Sequence, residues 1–161
     1  MTIITGVGRK FLEELALGTH VLVEGSPTDT IKLAVYGPDA SLSPSTDAYT
    51  TVKEVTGGGY TAGGVAVPLT LTGRSGSARS TGVQFTEGSY LQPTNNTSVP
   101  FANNGAARGI LLYNATRNNR TIFVMDLEAS FVPTVGMQFN WGVSGVVNWT
   151  DVLIPLIGVS F

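Results

Sequence analysis

A proton relay for hydrolysis or transfer needs a side chain that titrates near neutrality, and the chain carries one histidine, His20. No G-x-S-x-G motif supplies a serine for it to activate. Its neighbourhood, between a short apolar-faced segment and an alternating one, fits a capping or core-edge residue. Cysteine is absent, which removes thiolate nucleophiles, thiolate metal sites and disulfides together. Asp29, Asp39, Asp47, Asp126 and Asp151 are isolated, and no D-x-[DN]-x-[DN]-G loop gathers them for calcium. Glu54, Glu87, Asp126 and Glu128 could meet in space as a glycosidase pair, although spacing alone does not single them out. The run Gly57-Gly58-Gly59-Tyr60-Thr61-Ala62-Gly63-Gly64 invites a phosphate-loop reading but is followed by Val65-Ala66, not Lys and Ser/Thr. A turn with several positive φ angles is the better reading, with Tyr60 as a large amphipathic anchor for a partner. Arg74, Arg79, Arg108, Arg117 and Arg120 are dispersed; they could gather as an anionic-ligand patch in three dimensions, but a solvated surface is the better reading. Trp141 and Trp149, with Asn140, Asn148 and Asp151, have the types that build a sugar platform, or else pack as core. The sequence therefore predicts no catalytic, cofactor-binding or metal-ligating residue, and no enzyme.

The elements that would position these residues are mostly strands. Residues 9–17 alone have helical period: Phe11, Leu12, Leu15 and Ala16 share a face, with Arg9, Lys10, Glu13 and Glu14 opposite. Gly18 follows as a left-handed stop. Residues 19–24 and 30–36 alternate, the latter with Ile31, Leu33 and Val35 inward and Lys32, Ala34 and Tyr36 outward, a half-buried strand. Further strands are expected at 48–55, 65–71, 82–85, 107–113, 121–129, 135–141 and 152–161. Residues 88–104, rich in Pro and Asn, read as a surface loop. Asn118-Asn119 should turn the strands on either side into a hairpin. Short strands punctuated by Gly, Pro and Asn predict an all-β fold: a single-domain antiparallel β-sandwich or barrel over residues 1–161. Residues 1–18 would form an N-terminal arm with one short helix, and 142–161 a C-terminal strand or tail.

Composition narrows the class. Only 12% of the 161 residues are charged against 42% hydrophobic, which excludes a charged disordered tail and a coiled coil. The net charge of −2 gives no cationic footprint for nucleic acid. No signal peptide or membrane-spanning run is legible, so synthesis in a cytoplasm is expected. Low charge lowers the desolvation cost of an interface, which suits a chain built into an assembly.

Three segments, in order, carry a resemblance. The first is Asp29-Thr30-Ile31-Lys32-Leu33-Ala34-Val35-Tyr36. The second runs from Thr46-Asp47-Ala48-Tyr49-Thr50 to Glu54-Val55-Thr56-Gly57-Gly58-Gly59-Tyr60-Thr61-Ala62-Gly63-Gly64. The third is Ala107-Arg108-Gly109-Ile110-Leu111-Leu112-Tyr113-Asn114, with Asn119-Arg120 and Val124-Met125-Asp126-Leu127 after it. Over residues 17–141 the chain resembles a family of small virion proteins of tailed bacteriophages. Leu127-Glu128 departs from a common Phe-Gly, and the segment 142–161 is longer than the family's. The resemblance implies a structural protein of the virion without enzymatic activity or cofactor. A capsid decoration protein on the major capsid protein comes first, and a tail or neck component second. A glycan- or receptor-binding adhesin is a reading from another class. The apolar run 152–161 lacks charge on either face and predicts a homo-oligomer, a trimer by analogy with three-fold shell positions.

Overall fold

The computed structural model describes residues 2–22, 28–56, 60–66, 69–72, 82–85, 88–91, 106–131 and 139–141. Their fold is all-β with one short helix. Strands β1 (Gly6–Val7), β2 (Ile31–Tyr36), β3 (Val65–Ala66), β7 (Ala107–Asn114) and β8 (Arg120–Phe131) form an antiparallel sheet in the order β1-β8-β7-β2-β3. Two further pairs stand outside it: β4 (Leu69–Thr72) with β5 (Gly82–Phe85), and β6 (Gly88–Leu91) with β9 (Phe139–Trp141).

The central pair, β2 and β7, runs in uninterrupted register from Ile31↔Asn114 to Tyr36↔Gly109. Period-two alternation sends Ile31, Leu33, Val35, Ile110 and Leu112 to one face, where Phe11, Val55, Tyr60, Ile122 and Phe123 join them. The opposite face carries Ala34, Tyr36, Leu111, Tyr113 and Val124, covered by Ile3, Ala40 and Leu42. Strand β2 is therefore buried on both sides. Ala34 and Tyr36, expected to face water, are fully covered, because residues 2–4 and 40–42 are laid across them as a bridged pair, Ile3↔Leu42. A fully buried aliphatic side chain contributes about 2 kcal/mol, and a hydrogen bond about 1. The two apolar faces hold the sheet, and its polar contacts fix how the pieces register.

The helix α1 (Arg9–Ala16) lays Phe11 on the first face, with Leu12 and Leu15 partly buried beside it. It ends as its sequence predicts: Gly18 takes φ +70°, its N–H reaches the Leu15 carbonyl at 3.0 Å, and the Thr19 N–H reaches that of Glu14 at 2.9 Å. That is a Schellman ending. Ala16 is exposed, and Glu14, expected on the wet side, turns inward. The β7–β8 hairpin turns through residues 115–119, with Asn118 and Asn119 at φ +51° and +54°, which asparagine tolerates.

Among the described residues, two expected strands are not formed and others differ in their bounds. Residues 19–22 are irregular, and 23–24 lie outside the described residues. Residues 48–55 contribute only the single bridges Ala48↔Arg120 and Tyr36↔Glu54, because Lys53 at φ +65° breaks the extended run. The expected strand 65–71 is two strands, β3 and β4, and the expected loop 88–104 begins with strand β6. Of 135–141, strand β9 holds the last three residues. The runs 92–104 and 142–161 lie outside the described residues.

Candidate functional site

Two buried polar clusters flank the β2–β7 pair, and they hold most of the residues with chemical potential. The first is centred on Glu54, 2% exposed after the bend at Lys53. Its Oε1 accepts from the Tyr60 hydroxyl at 2.6 Å and the Gly63 N–H at 2.7 Å, and its Oε2 accepts from the Tyr49 hydroxyl at 2.6 Å. The Tyr60 hydroxyl in turn accepts the Val35 N–H at 3.0 Å, tying the cluster to β2. Tyr113, on β7, stacks on Tyr49 with ring centroids 4.7 Å apart and donates to the Gly63 carbonyl at 2.6 Å. Tyr36 donates to the Thr50 carbonyl at 2.5 Å. Burial pushes all four tyrosine hydroxyls above their ordinary range, and the nearby Glu54 carboxylate pushes them further.

The second cluster surrounds His20, whose side chain has no exposure. Its Nε2 lies 3.1 Å from Glu14 Oε2 and its Nδ1 lies 2.9 Å from the Asn114 amide nitrogen. That amide also donates to Asp29 Oδ2 at 2.8 Å. Arg120 pairs with Glu14 at 2.7 Å and Arg117 with Asp29 at 3.0 Å. Burial alone would raise both carboxyls. It is outweighed at Glu14 by the bonds and charge of Arg120 and His20, and at Asp29 by the Val21 N–H, Asn114 and Arg117, so both lie below their ordinary values. Burial is the largest influence on the imidazole and holds it below 6.5, although Glu14 and Asp29 pull the other way.

These placements redistribute the sequence-derived candidates. His20 is the core-edge residue its surroundings suggest, with both ring nitrogens occupied. Glu54, Asp126 and Glu128 are not assembled into one site. Asp126 pairs with Arg108 at 3.0 Å and accepts the Glu128 N–H at 2.9 Å, while Glu128 is exposed at φ +64°, where β8 shifts register. Glu87 lies outside the described residues. Tyr60 is no surface anchor: it is 9% exposed, and its hydroxyl is committed to Glu54 and Val35. Arg108, Arg117 and Arg120, read as dispersed and solvated, are each bound to a carboxylate. Of 57–64, residues 57–59 lie outside the described residues, as do Arg74, Arg79, Asn148, Trp149 and Asp151; Asn140 and Trp141 belong to β9.

The sequence reading missed Glu14, Asn114 and Tyr49 as network members. The signal available was the polar Asn114 closing the apolar run of β7. Among the described residues no cluster of His, Cys, Asp or Glu could hold a metal ion, and no helix is long and apolar enough to cross a membrane. What both clusters do chemically is tie distant stretches of chain together. The chain matches no protein-family model, no curated protein and no solved structure.

Proposed function

We propose that this chain is a structural, non-enzymatic protein of a tailed-phage virion. Its favoured role is capsid decoration, binding the major capsid protein as a homo-oligomer and stabilising the shell by mass action. One observation carries the reading: the three segments behind the phage-family resemblance are bonded to one another. Asp29 of the first is held by Asn114 of the third; Val35 of the first by Tyr60 of the second; Gly63 of the second by Tyr113 of the third. These bonds build one sheet and its supports out of residues far apart in the chain, so the three segments together make a scaffold.

Arg108, Arg117 and Arg120 are each paired with a carboxylate, which leaves them less available to phosphates and supports a protein partner over nucleic acid. Mass spectrometry of purified virions from the phage that encodes the chain should detect it in stoichiometric amount. Virions lacking it would overturn the reading. Immunogold labelling then separates capsid from neck or tail, and light scattering of the purified chain at tens of micromolar separates the expected trimer from a monomer.

A further inference from the structure

We propose that the His20 cluster is a proton-operated latch, holding α1 and residues 19–22 and 28–30 against the β7–β8 hairpin near neutral pH and loosening in mild acid. The inference does not depend on the virion reading. It rests on the hydrogen-bond directions around the ring. Asn114 Oδ1 accepts two backbone N–H groups of the hairpin turn, Thr116 at 3.0 Å and Arg117 at 3.1 Å. Its amide nitrogen must then face the other way, where it donates to Asp29 and to His20 Nδ1. With Nδ1 accepting, the ring proton sits on Nε2 and is donated to Glu14. The neutral Nε2–H tautomer is the one the surroundings accommodate.

A second proton on Nδ1 would point at an amide N–H. Turning the Asn114 amide over would not relieve this, because it would abandon both turn bonds and set an oxygen against the Asp29 carboxylate. The charged groups around the ring are already balanced. Glu14 on α1 is matched by Arg120 on β8, and Asp29, ahead of β2, by Arg117 in the turn. The Phe11 ring closes the remaining side, 4.7 Å from the imidazole. Protonation would add an unmatched positive charge at a side chain without exposure.

The elements that would yield are those joined at this point. Val21 is tied to Asp29 by its N–H at 2.8 Å and by its carbonyl, which accepts the Asp29 N–H at 2.9 Å; Thr30 donates to Thr116 Oγ1 at 2.8 Å. Glu14 is the helix's own link to β8. Opening the contact lets the ring meet water and take its proton. The chain holds a single histidine, so its titration reads out unambiguously.

The test is an NMR titration of the full chain from pH 8 to pH 5, following the His20 ring nitrogens together with amide exchange corrected for its intrinsic pH dependence. The expected result is a neutral Nε2–H tautomer and a midpoint below 6.5. Protection in α1 should fall relative to β2 and β7, by up to about tenfold for each pH unit between 6.5 and that midpoint. The His20→Gln variant should lose the pH dependence of α1 protection. A midpoint at or above 6.5, or α1 protection that does not fall between 6.5 and the midpoint, overturns the latch. So does pH dependence that persists in His20→Gln. Should that variant fail to fold, the wild-type titration still decides.

Discussion

Two buried hydroxyls contrast what a satisfied and an unsatisfied polar atom contribute. The Tyr60 hydroxyl receives the Val35 N–H and donates to Glu54, joining the segment before Gly63 to the central strand. Tyr60→Phe keeps the ring but strands a buried donor on β2 and removes one partner of a buried carboxylate. It should cost about 1–3 kcal/mol in urea unfolding with an unchanged m-value. Thr121 is fully buried, and among the described residues its Oγ1 has no hydrogen-bond partner. Thr121→Val should therefore be neutral or stabilise by about 1 kcal/mol. Equal losses for both would mean that these bonds do not direct the packing. Such roles were half legible in the sequence. His20 as a core-edge residue followed from its lack of catalytic partners. The burial of Tyr60, Asn114 and Glu54 did not, because a tyrosine flanked by glycines and an asparagine before a turn look like surface chemistry until the distant partner is known.

Among the elements, a strand of two residues is held by a close backbone contact. Strand β3 enters the sheet directly after Gly64, which sits at φ +72° and whose added Cβ would run into the Leu33 carbonyl of β2. Gly64→Ala must pry β3 from the central strand as well as accept a left-handed backbone, so it should cost more than the roughly 1–2 kcal/mol of that conformation alone. Gly18→Ala is the matched control, at φ +70° with open space around the position, and should cost only that conformational amount. Similar losses for the two would remove the steric part of the argument. The helix, its stop and the β7–β8 hairpin were readable because each is specified within a few residues by apolar period, glycine or paired asparagines. The failures at 48–55 and at the outer face of β2 share a physical cause. Residues 48–55 have strand-like composition, but their backbone hydrogen bonds go one at a time to scattered partners, Asn119, Tyr36, Gly37 and Val35. The alternation of β2 looked half-wet because the short apolar stretches around Ile3 and Leu42 that cover it are too brief to register as elements. Non-local cover leaves no local period.

At the scale of the molecule, the two clusters set opposite limits to a pH range. His20 is held below its ordinary value, so the unfolded chain binds the extra proton, and stability is complete above 6.5 and declines as pH falls below it. Glu14 and Asp29 are also depressed, so their contribution is present above the ordinary carboxylate range and is lost as pH falls through the folded values. Both effects weaken the fold in acid, the histidine first. The tyrosines act at the other end. Tyr36, Tyr49, Tyr60 and Tyr113 all have raised values, so the folded state keeps them neutral, and their contribution is full below 10 and is lost as pH rises above it. Each proton released on unfolding tilts stability by about 1.4 kcal/mol per pH unit, and four released together by roughly 5–6. A plateau between pH 6.5 and 10 should therefore end in a shallow slope on the acid side and a steep one on the alkaline side. Tyrosinate absorbance followed alongside circular dichroism checks the alkaline edge. At least four of the five tyrosines should ionise only as the sheet signal disappears. A gradual rise in absorbance around pH 10 with the sheet intact would show that the Glu54 cluster is open to solvent and does not join β2 and β7 to Tyr49, Tyr60 and Gly63.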